Sequence, residues 1–79
     1  MKNKIIYDNI RALREDNDYT QRQIGELLGM SQRGYSHYEN GDYDMTGEIL
    51  INLAKYYNTS VDYLLGITNE VNPYPRLKK

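Results

Sequence analysis

TQRQIGELLGMSQRGYSHYENG, residues Thr20 to Gly41, decides the fold of this chain. It reads as two short helices joined by a tight corner. Thr20 opens a capping box: its hydroxyl is placed to accept the amide of Gln23, whose side chain can return to the Thr20 amide. The first helix is predicted over Gln21 to Leu28, with Ile24, Leu27 and Leu28 apolar. Gly29 then stops it in a left-handed conformation. Ser31 is a second N-cap only two residues later. The next helix runs from Gln32 to about Asn40 and ends at Gly41. A connection this short makes the two helices cross steeply, as in a helix-turn-helix unit. Such a crossing needs a small residue midway along the first helix, a corner residue with positive φ, and apolar side chains pointing inward from both helices. Gly25, Gly29 and the set Ile24, Leu28, Met30, Tyr35 and Tyr38 meet those needs.

Outward from this unit the pattern stays helical. Ile6, Ile10 and Leu13 fall at helical spacing and predict a first helix over 6–17, broken at the NDY run that follows. Thr46 precedes GEILINLAKYY, an amphipathic segment with Ile49, Leu50, Leu53, Ala54 and Tyr57 on one face. Ser60 caps a short fifth helix, VDYLL, closed by Gly66. No segment reads as a strand with turn chemistry, so the expected class is all-α: a five-helix bundle over 1–67 and a flexible tail over 68–79.

Composition narrows the function classes. The chain has 79 residues, enough for one domain with a thin core. It has no cysteine, which removes disulfides and thiolate metal sites and fits a reducing compartment. No apolar run approaches the roughly 20 residues of a membrane span. A soluble cytoplasmic protein is expected. One histidine, no Gly-rich phosphate loop and no carboxylate pair in an evident cleft argue against an enzyme, and no cofactor is expected. The nine tyrosines, with no Phe or Trp, should sit at the core boundary or on a contact surface, where the hydroxyl can find a partner. Net charge is −1, and residues 1–67 hold seven Lys and Arg against ten Asp and Glu, a balance of −3. Nucleic-acid binding therefore has to rest on local charge placement.

From about Ile10 to Gly66 the chain resembles the lambda-repressor-like helix-turn-helix domains of the Cro/XRE type. The matching pieces are IRALRE, TQRQIGELLGMSQ, YENG and ILINLAKYYNTSVDYLLG. The resemblance implies a transcriptional regulator that binds operator DNA as a homodimer, with the helix beginning at Gln32 in the major groove. In such domains a partly buried pair matching Arg14 and Glu39 ties the first helix to the third. The resemblance also implies phosphate contacts at Gln21, which would brace the start of the third helix, and at Asn40.

The residues support the same reading independently. Gln32, Arg33, Ser36 and His37 share the outward face of the predicted third helix. Arg pairs bidentately with guanine O6/N7 and Gln with adenine N6/N7, each worth about 1–3 kcal/mol of discrimination. Ser36 can instead bond back to its own helix, and His37 has no companion ligands for a metal. Gly34, at the leading edge, either permits close approach of the backbone to a groove or is a tolerated weak spot costing about 1 kcal/mol against Ala. Arg22 is either a phosphate contact or a surface charge. GDYDM places Asp42 and Asp44 where the family often has basic residues, so phosphate contact there should be weakened. Tyr35 and Tyr43 offer neutral hydroxyl donors in compensation. Few released counterions are expected, with a log–log salt slope shallower than about −5 per dimer. The predicted dimer surface is the fifth helix with Tyr63, Ile67 and Val71, and the Lys2/Lys4 arm and the basic tail are further candidates for DNA contact. The alternative reading is a protein-interaction module, antitoxin-like or regulator-binding, on the same fold.

Overall fold

Four of the five helices start from a hydroxyl cap. In the computed structural model, which describes residues 7–73, the helices are α1 (Asp8–Asp16), α2 (Gln21–Leu27), α3 (Gln32–Glu39), α4 (Gly47–Tyr56) and α5 (Val61–Leu64), with no strand among the described residues. The side chains of Thr20, Ser31, Thr46 and Ser60 accept the amides of Gln23, Gly34, Ile49 and Tyr63. Each such cap contributes about 1 kcal/mol. The capping box at Thr20 is complete, since the Gln23 side chain returns to the Thr20 amide at 2.8 Å. α1 has no side-chain cap. Its start is held by Tyr7, a buried ring whose hydroxyl accepts the Met45 amide at 3.1 Å.

All five helices also stop in one way. At each C-terminus two amides fold back over the last turn, the Schellman arrangement. For α2, Gly29 donates to Glu26 and Met30 to Gly25; for α3, Gly41 donates to Tyr38 and Asp42 to His37. The left-handed residue is glycine at 29, 41 and 66, but Asp18 (φ 59°) and Asn58 (φ 53°) fill the role after α1 and α4. The helices consequently end about one residue earlier than periodicity suggests, because Asn17, Leu28, Asn40, Tyr57 and Leu65 are C-caps rather than helical residues. Ile6, the predicted start of the first helix, lies outside the described residues, as do Lys2, Lys4 and the basic end of the chain.

α2 packs on α3, α4 on α5, and α1 on α5. Ile10, Ile24, Tyr35, Leu53 and Leu64 are fully buried at the centre, surrounded by Tyr7, Met45, Ile49, Leu50 and Ala54. Burying each of the larger side chains is worth about 1.5–3 kcal/mol. Ile24 and Tyr35 are core, and Leu28, Met30 and Tyr38 pack against it, so the inward set expected for the corner is inward. Leu27 is not part of it: it is exposed, and its carbonyl accepts the Tyr56 hydroxyl at 2.9 Å. The segment after α5 returns to the bundle, where the Thr59 hydroxyl donates to the Val71 carbonyl. Val71 is thereby tied back to the segment between α4 and α5.

Candidate nucleic-acid interface

The corner between α2 and α3 is built as tightly as its glycines suggest. A Cβ on Gly25 would lie 3.1 Å from the carbonyl oxygens of both Met30 and Ser31. Gly29 takes φ 75°, a conformation that a side chain rarely adopts. α3 therefore turns back onto α2 within a few residues and packs against it, with one face pressed on the core and the other outward.

Beneath α3 lies a buried ion pair. Glu39 is fully buried and its carboxylate accepts Arg14 Nε at 3.0 and 3.2 Å and Arg14 Nη2 at 2.9 Å. Arg14 Nη1 also donates to the Tyr19 carbonyl at 3.0 Å. Burial pushes the Glu39 carboxyl up, but the bonds from Arg14 outweigh it and hold the group below the usual carboxylate range. Those same bonds raise the Arg14 guanidinium above its ordinary value. The pair links α1 to the last residue of α3, in the place expected for it. Gln21 joins it: its Nε2 donates to Glu39 Oε1 at 3.3 Å, so it braces the end of α3 rather than the beginning.

Above this lock six of the expected contact residues surround one open hollow of about 550 Å³: Gln21, Gln32, Arg33, Ser36, His37 and Asn40. Gln32 and Arg33 are exposed and make no hydrogen bond or ion pair among the described residues. Ser36 and His37 are half-buried at the base. The stop after α3 folds Asp42 back toward His37, whose Nδ1 lies 3.2 Å from the Asp42 carboxylate. Tyr43 packs its ring against His37 at 5.0 Å and edge-on to Tyr38 at 5.4 Å, and remains half exposed. Arg22 stands apart from the hollow, paired with Glu26 at 3.3 Å on the surface of α2. An exposed pair of this kind is worth only about 0.3–0.5 kcal/mol, so a phosphate can displace it. Around Gly34 a Cβ would meet only the Ser31 hydroxyl, at 3.3 Å, so nothing within the protein requires glycine there.

One expected contact is overturned. Tyr35 is fully buried, on the side of α3 opposite the hollow, and cannot reach a phosphate. Its ring fills the core, and its hydroxyl lies close enough to the Glu39 carboxylate to help hold that group ionised, though short of full hydrogen-bond geometry. Burial holds that phenol neutral, its pKa raised well above the ordinary value. Tyr57 is only partly buried, but its hydroxyl too lies out of solvent without a hydrogen-bond partner among the described residues. An orphaned buried hydroxyl costs about 1–3 kcal/mol. With the hydroxyl only loosely engaged by Glu39, Tyr35→Phe is expected to change stability by no more than about 1 kcal/mol in urea denaturation and to leave nucleic-acid affinity unchanged; a loss above about 1 kcal/mol would show a full hydrogen bond to Glu39.

Arg11 is the site residue that the sequence reading missed. It lies one turn before Arg14 on the same face of α1, and donates to Glu39 Oε1 at 3.4 Å and to Asn40 Oδ1 at 2.8 Å. The i,i+3 spacing of the two arginines was the available signal. Asn40 in turn donates from Nδ2 to the Ser36 hydroxyl at 3.2 Å, so both ends of its amide are engaged.

A model of the helix-turn-helix family matches residues 10–64. The control protein C.SmaI of Serratia marcescens is 36% identical over 70 residues, covering 85% of this chain and 83% of its own length. The antitoxin PezA of Streptococcus pneumoniae is 30% identical over 69 residues, covering 87% of this chain and 44% of its own. Among solved structures, a transcriptional regulator from Listeria innocua superposes with a TM-score of 0.72 at 34% identity, covering 82% of this chain and 61% of that one. The chain spans about half the length of several curated relatives that it matches. With the tight α2–α3 corner, the α1–α3 ion pair and the matched span in hand, the chain belongs to the Cro/XRE-type helix-turn-helix family of transcriptional regulators.

Proposed function

We propose that this domain binds double-stranded operator DNA and regulates transcription, as a repressor, with α3 lying in the major groove. The observation that carries the reading is the outward, uncommitted pair Gln32 and Arg33 at the first turn of a helix whose opposite face is locked to the bundle. Gln32, Arg33, Ser36 and His37 meet base edges, while Gln21, Arg22, Asn40 and Tyr43 serve the phosphates alongside. One helix of eight residues reads only a few base pairs. Two copies about 34 Å apart on a near-palindrome extend the site. Exposed Leu65, Ile67 and Val71, beside and after α5, supply apolar surface for that homodimer. A protein of this kind acts in the cytoplasm, where the DNA is.

Arg33→Ala is the test. In a gel shift with duplexes selected from a random pool, the variant should lose about 10- to 100-fold per half-site on the selected sequence. It should lose far less on unrelated DNA. The salt dependence of the wild type should be shallower than a log–log slope of about −5 per dimer, given Asp42 and Asp44 beside the contact face. A slope near −10, or equal loss on all sequences, would contradict the reading.

The second reading is an interaction module that docks on a protein, favoured by the similarity to an antitoxin and by exposed Ile51, Tyr56 and Leu27 on a body of net negative charge. Wild type and Arg33→Ala failing alike to retain any duplex would support it.

A further inference from the structure

The reading face holds one hydroxyl whose hydrogen-bonding sense is biased from behind. Arg11 Nη2 lies 2.8 Å from Asn40 Oδ1. A guanidinium has donors only, so the amide oxygen has to face α1 and the amide nitrogen has to face the other way. That nitrogen lies 3.2 Å from the Ser36 hydroxyl oxygen. An amide nitrogen also only donates, so Ser36 accepts from it. The serine proton must then point away from Asn40, and no acceptor among the described residues takes it. Ser36 lines the hollow together with Gln32, Arg33 and His37. Arg11 is itself steadied by the Glu39 carboxylate, 3.4 Å from its Nε.

A serine left alone on a helix turns its hydroxyl to suit either donor or acceptor, and so discriminates poorly between bases. We propose that Arg11, a positioning residue acting through Asn40, occupies one of the two lone pairs of Ser36 and so biases its hydroxyl toward donating, which favours a base presenting an acceptor in the major groove over the amino group of cytosine. The bases selected are guanine through N7 or O6, adenine through N7 and thymine through O4. The inference rests on the reading of α3 as the DNA-reading helix.

Selection from random duplexes, run in parallel on the wild type and five variants, tests it. In each half-site the wild type should exclude cytosine, by about tenfold, at one position. Ser36→Ala should lose that exclusion. Arg11→Met should lose it too, to within about twofold, while preferences at the Gln32 and Arg33 positions persist; Arg11→Lys, which still donates to Asn40, should restore it. Asn40→Asp is the strongest arm. A carboxylate accepts from both Arg11 and Ser36, so the serine lone pairs would face the DNA and the preference should invert toward cytosine. The added negative charge lowers affinity for all duplexes and leaves relative preferences alone, so the two effects separate. Asn40→Ala should relax the position without inverting it. Survival of the cytosine exclusion in Arg11→Met, or uniform loss with no change in relative preference, overturns the inference while leaving DNA reading intact. Failure of the wild type to select any sequence would overturn both.

Discussion

Arg14→Ala is expected to destabilise the domain by about 3–5 kcal/mol, a large share of what a small domain has. The reason is the company Arg14 keeps rather than its charge alone. Its guanidinium reaches both oxygens of a carboxylate with no solvent exposure and holds the Tyr19 carbonyl besides. Removing it strands that carboxylate, with only the more distant Gln21 and Arg11 donors at 3.3 and 3.4 Å. The loss should depend on pH in a defined sense. In the wild type the Glu39 carboxyl is held below its unfolded value, so its contribution is complete above that value, about 4.3, and fades as pH falls through the folded pKa. In Arg14→Ala the strongest opposition to the upward push of burial is gone, and protonation relieves the stranded charge. The stability gap between the two proteins should therefore narrow as pH falls from neutral toward about 3. Urea denaturation at a series of pH values measures it. A gap constant with pH would mean that the carboxylate is not where the energy resides. Arg14→Lys, with one compact donor group in place of a fork, should fall between.

Gly25→Val should have the next largest effect, about 3 kcal/mol, or a fall in Tm on the order of 15 °C. The first carbon of any side chain here already meets two carbonyl oxygens at 3.1 Å, and both belong to backbone that cannot swing aside. Valine adds two more methyls to that gap. Gly25→Ala is the informative companion: it gains up to about 1 kcal/mol of helix propensity and gives some of it back in the tight contact, so its net effect should stay within about 1 kcal/mol. Because α3 hangs from this corner, Gly25→Val should also weaken DNA binding in proportion to the fraction that is unfolded. A valine variant as stable as the wild type would show that the crossing is looser than its geometry indicates.

Most of the architecture could be read from the sequence because the local signals agreed with the global need. Hydroxyl caps at Thr20, Ser31, Thr46 and Ser60, glycine stops at 29, 41 and 66, and the apolar face of α4 all point to the same bundle. The stops at Asp18 and Asn58 were harder to see, since a left-handed residue with a side chain carries no mark as clear as glycine. Tyr35 exposed the limit of role assignment by residue type. A tyrosine near the reading face looks like a phosphate donor, but its position on the inward side of α3 overrides its chemistry. Periodicity had already placed it inward, and that signal was the sounder one. Arg11 was missed because its partners, Glu39 and Asn40, are 28 and 29 residues away, and only the packing of α1 across α3 brings them together.

The two sides of α3 have separate employment. Everything that anchors the rod, from Tyr35 to Glu39, faces the bundle, while Gln32 and Arg33 hold up nothing. These two letters can be rewritten without asking the scaffold's permission. A family of such domains could diverge in the sites it recognises by exchanging tips on an unchanged mount, at a pace set by the genome rather than by the tolerance of the fold.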